Sequence, residues 1–295
     1  MTAAPTAETG PNAGRPDNLP LVETSGLRLS LPDRGAAVRL GQARPQVDIL
    51  KGIDLTIRRG ESVGIVGESG SGKTSLGRTL LRLYRPTGGR IRFDGQDITT
   101  LDEGQLRPLR QRMQIIFQDP QSALNPRHTV ADILTQPLRA FGRATHRRES
   151  EAVAADLLHR VGLPVSALRR YPHQLSGGQR QRVGIARAIA VDPAFIVADE
   201  IVSGLDVSSQ ARILDLLTRL KADLGLALAF ISHDLSVIRI LCDRVLVMLH
   251  GTVVEQGPCA RVFADPQHSY TRALIDAIPL PEIDPTWLST PASEG

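Results

Sequence analysis

The sequence has little cysteine, few aromatic residues and no long apolar run, and each shortage excludes a class of protein. Two cysteines, Cys242 and Cys259, stand in 295 residues and predict neither a disulfide framework nor a metal site. Aromatic residues make up 3% of the chain, which argues against a surface that stacks nucleic-acid bases. No apolar run approaches the length that crosses a bilayer. With a net charge of only +4, the composition favours a cytoplasmic globular protein with no nucleic-acid partner.

The ends of the chain differ in composition from its middle. The first 20 residues are rich in small residues and proline, lack the apolar centre of a signal peptide, and predict a disordered tail. Residues 265–295 contain five prolines and predict a short helix before a loose tail. Residues 21–93 read as mainly strands, residues 99–174 as mainly helices, and strands alternate with helices after Arg182. This alternation predicts an α/β fold with parallel strands and helical crossovers.

Residues 67–74 read GESGSGKT and match the phosphate-binding P-loop pattern G-x-x-x-x-G-K-[ST]. A predicted buried strand precedes this loop, and a predicted helix at residues 75–81 follows it. The glycines let backbone N–H groups turn toward phosphate oxygens, and the helix N-terminus adds its partial positive charge. Lys73 can reach the terminal phosphates of ATP, and the Thr74 hydroxyl can ligate Mg²⁺. The candidate nucleotide-binding residues here are Gly67, Glu68, Ser69, Gly70, Ser71, Gly72, Lys73, Thr74 and Ser75.

Four further polar residues follow predicted buried strands. Asp199 and Glu200 end the apolar run of residues 194–198, and carboxylates at the carboxyl edge of a parallel sheet face the ligand crevice. Asp199 can hold Mg²⁺ through water, and Glu200 can polarise the attacking water as a general base. Gln118 can reach the metal or the attacking water, and His233 can hydrogen-bond the γ-phosphate. Each of them alone is more typical of a solvated or structural side chain, and it is the context of the P-loop and its companion motifs that favours the functional interpretation.

Residues 175–182 read LSGGQRQR, and at this segment the chain resembles the ATP-binding-cassette (ABC) ATPases, whose signature motif is LSGGQ. A predicted helix at residues 183–190 follows, so Ser176 and two glycine N–H groups stand at a helix N-terminus, where an anion can bind. The P-loop, Gln118, the signature, the Asp–Glu pair and His233 occur in the order typical of that family.

The resemblance implies an architecture for the whole chain. It is a P-loop NTPase cassette of the α/β class, with a mixed-sheet core, an N-terminal antiparallel β subdomain and an inserted helical subdomain. We expect a tail at residues 1–20, the ATPase domain at residues 21–264 with its helical subdomain at about residues 119–182, and an extension typical of oligopeptide importers at residues 265–295.

The resemblance also implies a composite nucleotide site. In this family two cassettes pair head to tail, and the P-loop of one faces the signature of the other with ATP between them. Closure assembles the catalytic groups only when ATP is bound, and opening after hydrolysis supplies a mechanical stroke. The residues that would complete the partner's site are Ser176, Gly177, Gly178, Gln179 and, in the D-loop, Asp206.

Three segments resemble the oligopeptide, dipeptide and nickel importer ATPases: FQDPQSALNP at residues 117–126, YPHQ at residues 171–174 and PQHSYT at residues 266–271. The resemblance implies an ATPase subunit on the cytoplasmic face of the inner membrane. Its partners would be a second ABC ATPase subunit and two transmembrane permease subunits, docked near residues 125–134. An extracytoplasmic solute-binding protein would deliver a peptide or related small solute. The identity of the solute stays open, as does the choice between a homodimer and a heterodimer.

Two other functions remain open from the sequence. Soluble enzyme complexes such as the carbon–phosphorus lyase machinery use cassettes similar to this branch, so the chain can also be an ATPase subunit of that kind. A cassette associated with DNA or translation is a weaker alternative, because those proteins usually carry tandem cassettes or long inserted arms that this chain lacks.

The chain departs from the family pattern at several positions. Ile201-Val202 replaces the usual Pro-Thr after the catalytic Glu, and Gly204 stands where Ala is usual. Leu31 occupies the place of the aromatic residue on which adenine normally stacks, and no aromatic residue precedes Tyr84. We therefore expect apolar packing of adenine against Leu31 and Ile49, and weaker adenine selectivity than usual. We also expect no iron–sulfur cluster, because two distant cysteines cannot supply four ligands.

Overall fold

The computed structural model of the protein describes residues 20–33, 44–143 and 147–277. The first strand begins at Pro20, and the rest of the predicted N-terminal tail lies outside the described residues, as does the predicted loose tail at the C-terminus. The strands, in chain order, are β1 (Pro20–Pro32), β2 (Gln46–Arg58), β3 (Ser62–Val66), β4 (Gly88–Phe93), β5 (Gln96–Asp97), β6 (Met113–Ile116), β7 (Phe195–Asp199), β8 (Ala227–Ile231), β9 (Arg244–Leu249) and β10 (Thr252–Pro258).

The helices are numbered separately, also in chain order. They are α1 (Lys73–Leu80), α2 (Glu103–Arg110), α3 (Pro120–Ala123), α4 (Val130–Ala140), α5 (Arg147–Arg160), α6 (Gly177–Ile189), α7 (Val207–Leu224), α8 (Leu235–Leu241), α9 (Cys259–Ala264) and α10 (Ser269–Asp276). Within the described part of the chain, none of these helices has both the length and the apolar composition that a bilayer span needs.

Two sheets organise the described strands. The larger is a six-stranded mixed sheet in the order β10-β9-β3-β8-β7-β6, and its internal pairs β9–β3, β3–β8, β8–β7 and β7–β6 are parallel. Every residue of β3, β7 and β8 is buried, which explains why these strands read as unbroken apolar runs. The smaller sheet, β2-β1-β4-β5, is antiparallel. The predicted α/β fold with a mixed core and an N-terminal antiparallel part is confirmed.

The antiparallel sheet follows from the alternation of its sequence. Ile53, Leu55 and Ile57 of β2 are at most 2% exposed, while their neighbours face solvent to varying degrees. Asp94 and Gly95 both have positive φ, 51° and 78°, and form the tight turn between β4 and β5. The buried face of this sheet packs with α1 and with β3 in a shared hydrophobic cluster. This packing fixes the start of the P-loop relative to β1 and β2.

Helices α3 to α6 lie between β6 and β7 in the chain. One apolar face of α5 packs inward, and Leu157, Leu158 and Val161 at its C-terminal end are at most 3% exposed. These residues join the same hydrophobic cluster as α4, α6 and the strands β7 and β8. Gly162, with φ of 67°, ends the helix in a left-handed conformation that glycine adopts without strain.

One helix begins earlier than its sequence predicts. The helix expected at residues 183–190 starts at Gly177, so most of the signature lies inside α6 rather than before it. The Ser176 hydroxyl accepts a hydrogen bond from the Gln179 N–H at 3.3 Å, and the Gln179 side chain accepts one from the Ser176 N–H at 3.0 Å. This reciprocal capping box starts the helix despite two glycines, whose low helix propensity masked its first turn.

The parallel strands bring the candidate residues to one edge of the sheet. The P-loop follows β3, Gln118 follows β6, and His233 follows β8, while Asp199 and Glu200 stand at the end of β7. Because carboxyl ends of parallel strands share an edge, residues far apart in the sequence converge there.

Candidate active site

The P-loop joins β3 to α1 and surrounds the Lys73 ammonium with backbone. Lys73 Nζ donates to the carbonyl oxygens of Gly67 and Glu68, both at 2.7 Å. Burial lowers the pKa of Lys73, while the carboxylates of Glu200, Asp199 and Glu68 oppose that shift. The N-cap of α1 is Gly72, whose φ is 101°, and no side chain of the described residues caps it. The first N–H groups of α1 are therefore oriented to bind an anion.

Thr74 and Asp199 are hydrogen-bonded at the start of α1. The Thr74 hydroxyl donates to Asp199 Oδ1 at 2.9 Å, and Asp199 is 2% exposed. Burial raises the pKa of the Asp199 carboxyl, although the Thr74 hydrogen bond and nearby Arg78 and Lys73 act in the opposite direction. A buried carboxylate with so little solvent favours a cation beside it.

Glu200 lies at the centre of a second polar group. Gln118 Nε2 donates to Glu200 Oε2 at 2.8 Å, and His233 Nδ1 stands 3.7 Å from the same oxygen. Glu200 has φ of 47°, in the left-handed region that non-glycine residues adopt with strain, and its N–H donates to the Ile231 carbonyl at 3.0 Å. That backbone contact to β8 holds the side chain beside the P-loop.

A cavity of about 380 Å³ runs along the P-loop and ends at this polar group. Its size falls in the range of small-molecule sites in proteins. The structure thus brings together the P-loop, Gln118 and Glu200, as the sequence predicts. The residues that line this cavity are Ile49, Ser69, Gly70, Gly72, Lys73, Thr74, Ser75, Gln118 and Glu200.

The signature and D-loop residues lie elsewhere on the chain. Ser176 caps α6, and the Asp206 carboxylate caps α7 by accepting from the Ser209 N–H at 2.9 Å. Hydrogen bonds from Ser208 and Ser209 hold the pKa of Asp206 well below its usual range. Gly178 packs beside α7, where an added Cβ would stand 3.5 Å from Ser209 Oγ. The cavity lining given above contains none of the predicted signature residues.

A second cavity adjoins the first and contains an aromatic residue that sequence reasoning missed. Leu31 and Ile49 line it, together with Arg78 and Tyr84, and Ile49 also lines the P-loop cavity. Arg78 Nη1 donates to the Tyr84 hydroxyl at 3.0 Å, and the Arg78 guanidinium lies 5.8 Å from the Tyr84 ring centroid. Tyr84 reaches this cavity from the segment after α1, so its lining is not purely apolar, and the apolar packing of adenine expected from the sequence stays a prediction. Tyr84 follows the P-loop in the chain, and no local pattern connects it with Leu31.

Oxygen donors at the start of α1 fit a hard divalent cation. Thr74 offers a hydroxyl, Asp199 a carboxylate and Gln118 an amide, which are ligands that Mg²⁺ takes in nucleotide sites alongside phosphate oxygens. Within the described residues, no group of three or more His, Cys, Asp or Glu side chains is placed to hold a metal ion. A Mg²⁺ ion at this point would therefore depend on phosphate oxygens for part of its coordination.

The departures after Glu200 have structural explanations. Ile201 and Val202 are 1% and 3% exposed and belong to the larger hydrophobic cluster. Gly204 has φ of 74°, a conformation that an alanine there would adopt only with strain. The substitutions therefore alter the packing of this turn without placing a new polar group in the cavity.

Two family models match the chain. The model described as ABC transporter covers residues 50–203, and the model described as oligopeptide/dipeptide transporter, C-terminal region, covers residues 254–295. The chain belongs to the ABC transporter family. As a member of that family it is an ATP-binding cassette with ATPase activity, and the recognition made from the sequence motifs is confirmed.

Curated relatives of this ABC protein are similar over most of their length. A putative peptide import ATP-binding protein of Brucella ovis is 48% identical over 265 residues, covering 90% of this chain and 80% of the relative. The oligopeptide transport ATP-binding protein AppF of Bacillus subtilis is 47% identical over 235 residues, covering 79% of this chain and 71% of AppF. The similarity therefore extends well beyond the motifs to nearly the whole cassette.

Solved structures share the fold of this ABC cassette. The dimeric structure of a post-hydrolysis state of the ATP-binding cassette MJ0796, bound to ADP and Pi, has a TM-score of 0.71 and 30% identity, covering 81% of this chain and 98% of that one. CbiO1 from Clostridium perfringens, part of the ABC transporter complex cbiONQ, has a TM-score of 0.70 and 28% identity. The match covers 83% of this chain and 91% of CbiO1.

Proposed function

We propose that this ABC protein is the ATP-hydrolysing subunit of an importer for peptides or a related small solute of the oligopeptide, dipeptide or nickel type. The observation that carries the proposal is the cluster of Gln118, Asp199, Glu200 and His233 around the P-loop, in a chain that matches an oligopeptide/dipeptide transporter model at its C-terminal end. The peptide-import names of its relatives support this solute class over a soluble enzyme complex.

We propose the following roles in hydrolysis. Glu200 is the general base that polarises the attacking water, and Gln118 orients it through the 2.8 Å contact with Glu200. His233 hydrogen-bonds the γ-phosphate, and Lys73 turns from the Gly67 and Glu68 carbonyls to the terminal phosphates. Thr74, Gln118 and Asp199 would hold Mg²⁺, which neutralises charge on the phosphates when bound. The remaining N–H groups of residues 67–75 cradle the phosphates.

The base of the nucleotide has a proposed place as well. The cavity lined by Leu31, Ile49 and Tyr84 shares Ile49 with the P-loop cavity, so the two together can hold a whole nucleotide. Leu31 and Ile49 offer apolar contact to adenine, and Tyr84 offers the edge or face of a ring fixed by Arg78.

The rest of the site is proposed to come from a second ABC ATPase subunit. Ser176, Gly177, Gly178, Gln179 and Asp206 would complete the partner's nucleotide site in a head-to-tail pair. Two permease subunits would hold the pair at the cytoplasmic face of the inner membrane, and a solute-binding protein would deliver the solute outside. We assign the ATPase domain to residues 21–264, its helical part to about residues 119–182 and the importer-type extension to residues 265–295.

Purification of the tagged full chain from its own host in mild detergent tests this function. Mass spectrometry of co-purifying chains should find two polytopic permeases and a second cassette, and peptide addition with the matching binding protein should raise ATP hydrolysis. Soluble enzyme subunits without any membrane protein would contradict the transport function and leave the ATPase chemistry intact.

A further inference from the structure

The C-terminal helix α10 contacts the P-loop directly. The Tyr270 hydroxyl oxygen accepts a hydrogen bond at 2.8 Å from the backbone N–H of Glu68, the second residue of the P-loop. We propose that Tyr270 is a positioning residue for the P-loop, and that docking of α10 raises the affinity of this chain for ATP. The proposal rests on the P-loop being the ATP site, and it gives the importer-type extension a part in nucleotide binding.

The Glu68 peptide is held on both of its sides. Its N–H donates to Tyr270, while its carbonyl and that of Gly67 accept from Lys73 Nζ at 2.7 Å each. The cavity beside the P-loop is lined by Ser69, Gly70, Gly72 and the residues after them, whereas the Glu68 amide is directed to α10. Tyr270 thus fixes the loop from its outer side and leaves the phosphate-facing N–H groups free for the ligand.

A carboxylate on β10 anchors the helix that carries Tyr270. Glu255 Oε1 and Oε2 accept from the N–H groups of Gln267 and His268, at 2.8 and 3.0 Å. His268 Nδ1 in turn accepts from the Tyr270 N–H at 3.1 Å and so caps α10. Leu274 and Ile275 pack against the larger hydrophobic cluster. These contacts tie the Tyr270 ring to β10 and the core, so its hydroxyl is fixed before the nucleotide arrives.

The hydroxyl stays a neutral hydrogen-bonding group at physiological pH. Burial raises the pKa of Tyr270 above its usual range, so the oxygen accepts from Glu68 while its own proton remains available. A loop held in its bound conformation loses less conformational entropy when ATP binds. Because binding equilibria are reciprocal, ATP must in turn strengthen the docking of α10 by the same factor.

Tyr270→Phe in the full-length chain removes the hydroxyl and keeps the ring. We expect the dissociation constant for Mg·ATP, measured by calorimetry, to rise about threefold to tenfold, the effect of one lost hydrogen bond. In ATP hydrolysis KM should rise by a similar factor with kcat unchanged, because the group acts on binding and not on the chemical step. Tyr171→Phe is the matched control, since Tyr171 is 38% exposed, stacks on His173 and does not line the P-loop cavity, so the dissociation constant should not change.

Two further measurements separate positioning from a general loss of structure. Glu255→Ala should weaken ATP binding by a similar factor, and combining it with Tyr270→Phe should add little, because both remove the same contact. Hydrogen exchange at the amides of α10 should slow on ATP addition in the wild type and respond less in Tyr270→Phe.

A failure of the positioning role can be told apart from a failure of the ATP-site assignment by comparing Tyr270→Phe with Lys73→Ala. Lys73→Ala should abolish binding, and retained affinity there would remove the P-loop assignment on which the inference rests. Loss of binding in Lys73→Ala, with unchanged affinity and unchanged α10 exchange in Tyr270→Phe, would overturn the positioning role alone. An equal rise of the dissociation constant for Mg·ATP in Tyr171→Phe would also overturn the positioning role of Tyr270.

Discussion

At the scale of single residues, the backbone of Glu200 carries the most information. Its φ of 47° costs about 1–2 kcal/mol for a residue with a Cβ, and the N–H contact to Ile231 in β8 holds it there. The same backbone conformation aims the carboxylate at Gln118 and His233. Strain of this kind at the end of a buried strand is typical of a side chain held for function rather than for packing.

Glu200→Gln tests that role. The amide keeps the shape of the side chain but is a far weaker base, so ATP should still bind while hydrolysis falls by about 10²–10⁴-fold. Single-turnover hydrolysis and equilibrium binding measure the two effects separately. Glu103→Gln on α2 is the control, because that carboxylate is 78% exposed and pairs only with Arg110 among the contacts described for it. Near-normal turnover in Glu200→Gln would reject its assignment as the base.

The base-binding cavity gives a second prediction at this scale. Leu31→Ala should weaken ATP and GTP binding equally, by about 0.8 kcal/mol for each buried methylene that no longer contacts the base, because an aliphatic side chain does not distinguish the edges of two purines. Competition between the two nucleotides for a fluorescent analogue measures both affinities. Tyr84→Leu should act in the same direction if the ring contacts the base, with Tyr171→Phe as the neutral reference. Tight binding of ATP alone in Leu31→Ala would contradict the predicted weak adenine selectivity.

At the scale of elements, the turn between β7 and α7 is held by apolar packing. Val202 is 3% exposed inside the larger cluster, whereas Val207, five positions on, is 83% exposed. Val202→Thr keeps the shape of the side chain and buries a hydroxyl, which costs about 1–3 kcal/mol when it finds no partner. The Tm should fall by about 2–4 °C for each kcal/mol lost at this chain size, and Val207→Thr should leave it unchanged.

Thermal unfolding of the two threonine variants, followed without nucleotide, makes the comparison. ATP binding by Val202→Thr at low temperature should stay close to that of the wild type, since the cavity lining is intact. Equal Tm values for the two variants would show that the turn does not depend on buried apolar contact.

The sequence predicted those elements whose patterns are local. The alternation in β2 and the unbroken apolar runs of β7 and β8 can be read from the sequence, and the structure buries the apolar side chains of these strands. The start of α6 was missed because two glycines of low helix propensity outweighed the capping-box pattern that Ser176 and Gln179 already show in the sequence. Tyr84 and Tyr270 reach the nucleotide region through tertiary packing, over chain separations that no periodic pattern records.

At the scale of the whole molecule, the P-loop site and the predicted signature surface occupy different parts of the described chain. The P-loop, Gln118 and Glu200 line the cavity, and the Ser176 and Asp206 caps stand at the starts of α6 and α7. Ser176 is a neutral cap, so the partial positive charge at the N-terminus of α6 suits the phosphates of a nucleotide, whereas the Asp206 carboxylate already caps α7. A head-to-tail pair would join each surface to the complementary one of its partner. The structurally similar cassette MJ0796 has been solved as a dimer.

This separation yields a prediction about assembly. ATP should convert the Glu200→Gln variant from monomer to dimer, because the nucleotide is not hydrolysed and stays bound between the two surfaces. If the natural pair is a heterodimer, ATP should instead join this variant to the second cassette found by co-purification. Adding Ser176→Arg should prevent that association, since a large cation fills the space the partner's nucleotide needs. The affinity of the single chain for ATP should not change, because Ser176 lies outside its own cavity lining. Light scattering of the two variants with ATP and with ADP measures the mass, and undiminished ATP-driven association of the Ser176→Arg variant would contradict a composite site.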